Sequence, residues 1–284
     1  MSLQQYSAEI RGLQTGWWSS TGPEVGKPVL FFIHGFPDDI ESWRAQLDLF
    51  SGLGYPVVAP YLRGCGPSLR APDKKRYGRD AVLLDHLEIL RQAGEKWGER
   101  GIVVIGHDIG GLHAWALARA LGSRLKGLVL INAPDIGQLF LRLKSVKQIA
   151  KSWYIGAFLI PGIAEKWFGL QGERTIRGAR KKGGLKDSHP MPGDVSPLLN
   201  HYRAAFADFA QILLKKPEPV FAPVIALVGK DDAFLEVPTM AEFKHYAPQA
   251  ELRVLDGNHW LQIEQKDQVN RIIQRFVEGA SRVS

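Results

Sequence analysis

Short apolar runs separated by longer mixed segments set the rhythm of this chain. Residues 29–33, 55–59, 102–105, 127–131, 224–228 and 252–255 read as six strands. The later runs are mostly continuous in apolar residues, the pattern of parallel strands covered on both faces. Between them, residues 42–51, 77–97, 111–121, 237–246 and 267–276 read as helices. Asp38, Asp39 and Glu41 stand near the start of the first helix, where a carboxylate favours the helix dipole. Residues 7–18 add one or two antiparallel strands at the front. Alternating strand and helix predicts an α/β fold with a doubly wound, mostly parallel sheet.

The alternation breaks between about Ala133 and Pro219. That segment has helical stretches, a Gly/Lys/Arg-rich middle and several prolines, but no strand pattern. It carries Trp153, Tyr154, Phe158, Trp167, Phe168, Tyr202, Phe206 and Phe209, whereas disordered segments are poor in aromatics. It therefore reads as a helical cap of residues 133–219, inserted after one strand into a core of residues 1–132 and 220–284.

Composition narrows the setting. The chain has 284 residues, 45% of them hydrophobic, enough for a sizeable core. No run of 18 apolar residues occurs, so no membrane span is expected. Residues 1–6 lack the basic and apolar regions of a signal peptide, and the lone Cys65 fits a reducing compartment, so a cytoplasmic location is expected. The net charge of +7 is spread out. Its densest stretch, Arg174 to Lys186 with Arg177, Arg180, Lys181 and Lys182, reads as a solvated surface, or else as a guide for an anionic partner. No nucleic-acid motif accompanies it.

The chemistry centres on Asp108. The strand at 102–105 runs into Gly106-His107-Asp108-Ile109-Gly110-Gly111 and then into a helical sequence. This is the strand–turn–helix setting of a nucleophile elbow, with glycines where a Cβ would block the turn. The central side chain is a carboxylate, which suits attack on an sp³ carbon and leaves an ester on the enzyme. The plainer reading of such an aspartate is a helix N-cap. The loop His34-Gly35-Phe36-Pro37 follows another strand. The Phe36 amide, with the Ile109 amide, would form an oxyanion hole, and His34 would brace the loop. His259, in Asp256-Gly257-Asn258-His259-Trp260, is the candidate general base for hydrolysing the ester. The remaining histidines, His113 and His201 among them, read as structural or surface residues. Asp232 is the favoured acid to orient His259, with Asp231 and Asp135 as alternatives. Tyr154 and Tyr202 lie on cap helices. Each is either core or a phenol placed to donate a proton to oxygen when a ring opens.

Together these segments resemble the α/β-hydrolase superfamily, and within it the cap-bearing epoxide hydrolase branch. The resemblance covers nearly the whole length. Leu30 to Pro37, with Trp43 nine residues past His34, is similar to that branch's oxyanion segment, and residues 106–111 to its nucleophile segment. Tyr202 in His-Tyr-Arg-Ala-Ala-Phe is similar to one cap tyrosine, and Tyr154, seven residues ahead of Pro161, to the other. The resemblance implies an α/β-hydrolase fold and a hydrolase that needs no cofactor or metal and converts a small hydrophobic epoxide and water into a vicinal diol. Asp108, His259, Asp232, Tyr154 and Tyr202 would be catalytic, with Trp43 and Trp153 at the substrate. A monomer or homodimer is expected. The chain departs from the family pattern at Tyr61, where many relatives carry aspartate, at Ile109, commonly tryptophan, and at Glu264-Gln265-Lys266, usually glutamate–x–proline. A haloalkane or haloacid dehalogenase shares the Asp–His–acid core, but Phe36 and Ile109 supply neither a halide cradle nor a carboxylate clamp. A non-catalytic ligand-binding protein is the third reading, and a binding site has no use for a hydrolytic triad.

Overall fold

The computed structural model describes residues 2–22, 24, 26–94, 100–135, 137, 146–172, 174, 177–178, 196–207, 218–241, 243 and 246–280. Eight strands form one sheet: β1 (Leu3–Ile10), β2 (Leu13–Ser20), β3 (Val29–Ile33), β4 (Val57–Pro60), β5 (Ile102–His107), β6 (Leu125–Ile131), β7 (Val224–Gly229) and β8 (Ala250–Leu255). Their order is β1-β2-β4-β3-β5-β6-β7-β8. The β1–β2 and β2–β4 pairs are antiparallel and the others parallel. This is the α/β-hydrolase architecture.

Period-two alternation decides which side chain goes to which layer. On one face, Phe31, Ile33, Val104, Leu128, Leu130 and Ala226 pack in a single apolar cluster. It is covered by α2 (Arg79–Gly94) through Ile89 and by α3 (Ile109–Leu121) through Trp115 and Leu117. On the other face, Leu30, Phe32, Val103, Ile105, Val129 and Leu227 meet α1 (Arg44–Gly52) through Leu47 and Phe50. The C-terminal helix Lys266–Ala280 joins them through Val269, Ile272, Ile273 and Val277. Burial on both faces is why the central strands read as unbroken apolar runs.

The last strand departs from that pattern. Among the described residues β8 pairs with β7 alone; it is only partly buried, and Val254 is 49% exposed. An edge strand has one hydrogen-bonded neighbour and less cover. The acidic start of the first helix also divides: Asp39 caps a 3-10 turn by accepting from the Glu41 amide, while Asp38 is buried and accepts from Trp260 Nε1 at 2.8 Å.

Between β6 and β7 the described residues form α4 (Val146–Leu159), α5 (Ile163–Trp167) and α6 (Ser196–Ala207), with a π-turn at Phe168–Gly172. Arg203 of α6 ties these helices together. Its Nε donates to the Phe158 carbonyl at 2.9 Å, and its guanidinium pairs with Glu165 at 2.7 Å. Most of the basic stretch from Arg174 to Lys186 lies outside the described residues. No helix among the described residues is long and apolar enough to cross a membrane. Beyond β7, Val237–Ala241 forms α7, and Leu261–Glu264 and Lys266–Ala280 form α8 and α9.

Candidate active site

Asp108 stands between β5 and α3 with φ 50° and ψ −127°, a conformation that L residues rarely adopt. Its neighbours make the turn possible. A Cβ on Gly110 would lie 2.2 Å from the His34 carbonyl oxygen, and one on Gly111 2.1 Å from the Ala133 Cβ. Glycine at both positions lets α3 start hard against the loop after β3. That loop delivers the Phe36 N–H to Asp108 Oδ2 at 2.9 Å. The Ile109 amide opens α3, where N–H groups have no partner within the helix. His34 braces the loop, donating from Nδ1 to the Gly35 carbonyl at 3.0 Å and accepting the Leu62 N–H at Nε2 at 3.1 Å.

His259 arrives on the loop after β8. Its Nδ1–H donates to Asp232 Oδ2 at 2.8 Å, and its Nε2 faces Asp108 Oδ1 at 3.9 Å. The other Asp232 oxygen accepts the Phe234 and Leu235 amides at 2.7 and 3.0 Å. Burial pushes the Asp232 carboxyl up, but the charge and hydrogen bond of His259, helped by these amides, hold it below its ordinary value. Burial pushes the His259 imidazole down, but Asp232, Asp108 and Asp38 outweigh it and raise the pKa to about 9.

Two phenols complete the site. The Tyr202 hydroxyl donates to Asp108, at 3.1 Å from Oδ2 and 3.4 Å from Oδ1. Tyr154 packs edge-on against Phe158 and Phe234 and lines the same small pocket as Asp108, Tyr202 and His259. Burial and then the Asp108 charge raise both phenols well above the ordinary tyrosine value, so both stay protonated donors. Ile109, Leu112, Pro134, Ile155, Phe234 and Leu235 give the pocket an apolar wall. It opens at the carboxyl ends of β5, β6 and β7, where open α/β sheets bind ligands.

Residues 28–175 match the family described as alpha/beta hydrolase fold. Epoxide hydrolase 4 of Mus musculus is 32% identical over 280 residues, covering 91% of this chain and 75% of that protein. This chain belongs to the epoxide hydrolase branch of the α/β-hydrolases. The Homo sapiens Epoxide hydrolase 4 matches to the same extent. A Bacillus megaterium epoxide hydrolase solved with an inhibitor superposes with a TM-score of 0.81 at 23% identity, covering 96% of this chain and 100% of that one. At that identity the solved structure speaks to the fold alone.

The structure of this hydrolase brings Asp108, His259, Asp232, Tyr154, Tyr202 and the amide of Phe36 together. It separates the three candidate acids. Asp231 is exposed, and Asp135 is engaged by Arg119 at 2.8 Å and the Gly137 amide at 2.9 Å, which leaves Asp232 against His259. Trp43 requires correction. It is fully buried against Phe32 under the opposite face of the sheet and does not line the pocket. Its spacing from His34 marks a core position beneath the loop. The Trp153 side chain lies outside the described residues, as do His189 and His245. Sequence reading passed over Asn132, which has φ 46° and donates from Nδ2 to the His259 carbonyl at 2.7 Å while its Oδ1 accepts the Gly229 amide at 2.9 Å. His107 Nε2–H also donates to the His259 carbonyl, at 2.9 Å. An asparagine directly after a buried strand, just where the chain leaves the sheet, was the available signal.

Proposed function

We propose that this hydrolase opens a small, largely apolar epoxide to a vicinal diol through an ester on Asp108. The observation that carries the reading is the shared approach to one carboxylate of an amide donor, a tyrosine hydroxyl and a carboxylate-paired imidazole. The Phe36 amide holds Asp108 Oδ2, which leaves Oδ1 to attack an epoxide carbon. The carbon–oxygen ring bond breaks as the new ester bond forms. Tyr202 and Tyr154 receive the developing alkoxide, one phenol supplies the proton that makes it a hydroxyl, and the phenolate left behind takes the His259 proton, which leaves a neutral imidazole.

Hydrolysis follows. The 3.9 Å gap from His259 Nε2 to Asp108 is beyond hydrogen-bond reach, which suits a base that acts on a water beside the ester carbon. His259 takes the water's proton, Asp232 stabilises the imidazolium, and the hydroxide adds to the Asp108 carbonyl carbon. The amides of Phe36 and Ile109 hold the oxyanion until it collapses: the ester carbon–oxygen bond breaks, the departing diol oxygen takes the carboxyl proton, and the Asp108 carboxylate is restored. Ile109 and Phe36 offer no halide cradle, so the same triad is not read as a dehalogenase. We read residues 133–219 as the cap that supplies both phenols, over a core of 1–132 and 220–284.

The test is intact-mass spectrometry of His259→Gln after incubation with small epoxides. Losing the base strands the ester, so a mass gain of one whole epoxide mapped to Asp108 is expected. An enzyme that turns over epoxides as wild type yet yields no adduct in this variant, or an adduct elsewhere, overturns the proposal.

A further inference from the structure

Adjacent residues of α6 point in different directions. Tyr202 reaches Asp108, while His201, 1% exposed, turns toward α3. There His201 Nδ1 lies 3.3 Å from His113 Nε2, and His201 Nε2 lies 3.2 Å from the Arg63 carbonyl. The carbonyl can only accept, so His201 carries its proton on Nε2 and its Nδ1 accepts from His113 Nε2–H. His113 Nδ1 is then a bare lone pair, and it has no hydrogen-bond partner among the described residues. One tautomer of each neutral ring satisfies every contact, giving a relay from His113 through His201 to Arg63.

Each end of the relay is anchored. His113 sits on α3, the helix that starts at the Asp108 elbow, so its position is fixed relative to the nucleophile. The Arg63 guanidinium grips buried Asp85 at 2.5 and 2.6 Å and donates to the Arg76 carbonyl. Gly64, at φ 80°, has no Cβ, which would lie 2.0 Å from Pro197 Cβ, and this absence lets the start of α6 seat on the same loop. Tyr77 packs edge-on against His201 at 5.1 Å, and His86 against His113 at 6.0 Å. His34 and Arg63 are the other charged or titratable groups bearing on His201. No group of three or more His, Cys, Asp or Glu among the described residues is arranged to hold a metal ion.

Three imidazoles in this packed layer cost more to desolvate than apolar side chains of similar size. We infer that His201, tied to His113 and the Arg63 carbonyl, is a positioning residue that sets Tyr202 over Asp108 for ring opening. This rests on the reading of Tyr202 as a proton donor in that step. Arg203 ties α6 to the other cap helices, and the two directional bonds of His201 fix its register against α3 and the Arg63 loop. Misplacement of a reacting group by about 1 Å can cost on the order of a hundredfold in rate.

The experiment separates the two chemical steps by rapid quench and intact mass, with styrene oxide as probe, in wild type, His201→Phe, Tyr202→Phe and the double variant. His201→Phe should slow ester formation by about tenfold or more while ester hydrolysis, which does not use Tyr202, stays within about twofold. In the Tyr202→Phe background the same change should add nothing, because both act on one contact. His201→Gln, which keeps a donor for the Arg63 carbonyl, should recover part of the rate. If His201→Phe does not fold, His113→Phe, which cuts the relay from the other side, should show the same split. Unchanged ester formation in His201→Phe, equal loss in both steps, or additivity with Tyr202→Phe overturns the inference. A Tyr202→Phe enzyme that forms ester at the wild-type rate overturns the underlying reading instead.

Discussion

Replacing Asp232 with asparagine removes one charge and, through the local hydrogen bonds, also switches a tautomer. Asp232 Oδ1 accepts the Phe234 and Leu235 amides at 2.7 and 3.0 Å. An asparagine must keep its oxygen there, so its NH₂ takes the place of Oδ2 and faces His259 Nδ1, now 2.8 Å from an acceptor. Nδ1 must then accept, the ring proton moves to Nε2, and the nitrogen facing Asp108 can no longer take a proton from water. The imidazolium also loses its counter-charge. At roughly 4 Å between charge centres and an effective dielectric of about 20, that pair is worth about 4 kcal/mol, or roughly a thousandfold in rate. Asp108 and both phenols are untouched, so ester formation should hold within about fivefold. Rapid-quench mass spectrometry with an epoxide should therefore show Asp232→Asn accumulating the alkyl-enzyme and hydrolysing it roughly a thousandfold more slowly. A hydrolysis rate within about tenfold of wild type, or an equal fall in both steps, would refute the assignment of His259 as the base held by Asp232.

Two further outcomes concern the scaffold. His34, His86, His107, His113 and His201 are buried, and burial lowers each below its ordinary value, to about 3 for His86 and His201 and about 4 for His107. Their neutral forms stabilise the fold fully above about pH 6.5, and that stability is lost as pH falls, by about 1.4 kcal/mol per pH unit for each ring that protonates only on unfolding. His259 has the opposite sign, its contribution being present below about pH 6.5 and lost as pH rises through about 9. Urea melts at pH 7 and pH 5 should show a steep loss at pH 5, and equal stabilities would contradict neutral burial of these rings. Gly110→Ala should destabilise the fold by about 1–3 kcal/mol and lower activity, because its Cβ meets backbone oxygens of His34 and Ile33 at 2.2 and 2.5 Å and displaces the loop that carries the Phe36 amide. Urea midpoints together with single-turnover rates check both effects.

What could be read from the sequence follows from the range of the forces involved. The central strands were legible because burial on both faces leaves no polar position in Phe31–Phe32 or Val103–Val104. The elbow was legible because close approach of backbone to backbone admits only glycine at 110 and 111. The acid was legible only as a preference for Asp232, since Asp135, Asp231 and Asp232 all follow strands, and the pairing of β6, β7 and β8 decides which one reaches His259. Trp43 misled for the same reason: its distance from His34 in sequence does not say on which side of the sheet its ring lies. The buried histidines were the largest gap. Nothing local separates His113 and His201 from surface residues, and their 3.3 Å contact joins positions 88 residues apart.

One charge organises the order of the proposed steps. Asp108 raises the pKa of both phenols, after burial, and it is among the groups that raise His259. While the carboxylate is free, the phenols therefore hold their protons and the imidazole is a poor base, favoured in its charged form beside two carboxylates. Ester formation moves that charge from Asp108 onto the ring oxygen as the alkoxide appears. The Asp108 contribution then vanishes from all three groups. A phenol then gives its proton to the alkoxide, and the phenolate that results takes the His259 proton, leaving the neutral imidazole that ester hydrolysis needs. Asp232 stays ionised throughout, so the imidazole keeps the partner it needs when it takes the proton from water. In the proposed sequence the same carboxylate attacks the substrate and, by being esterified, readies the groups that finish the reaction.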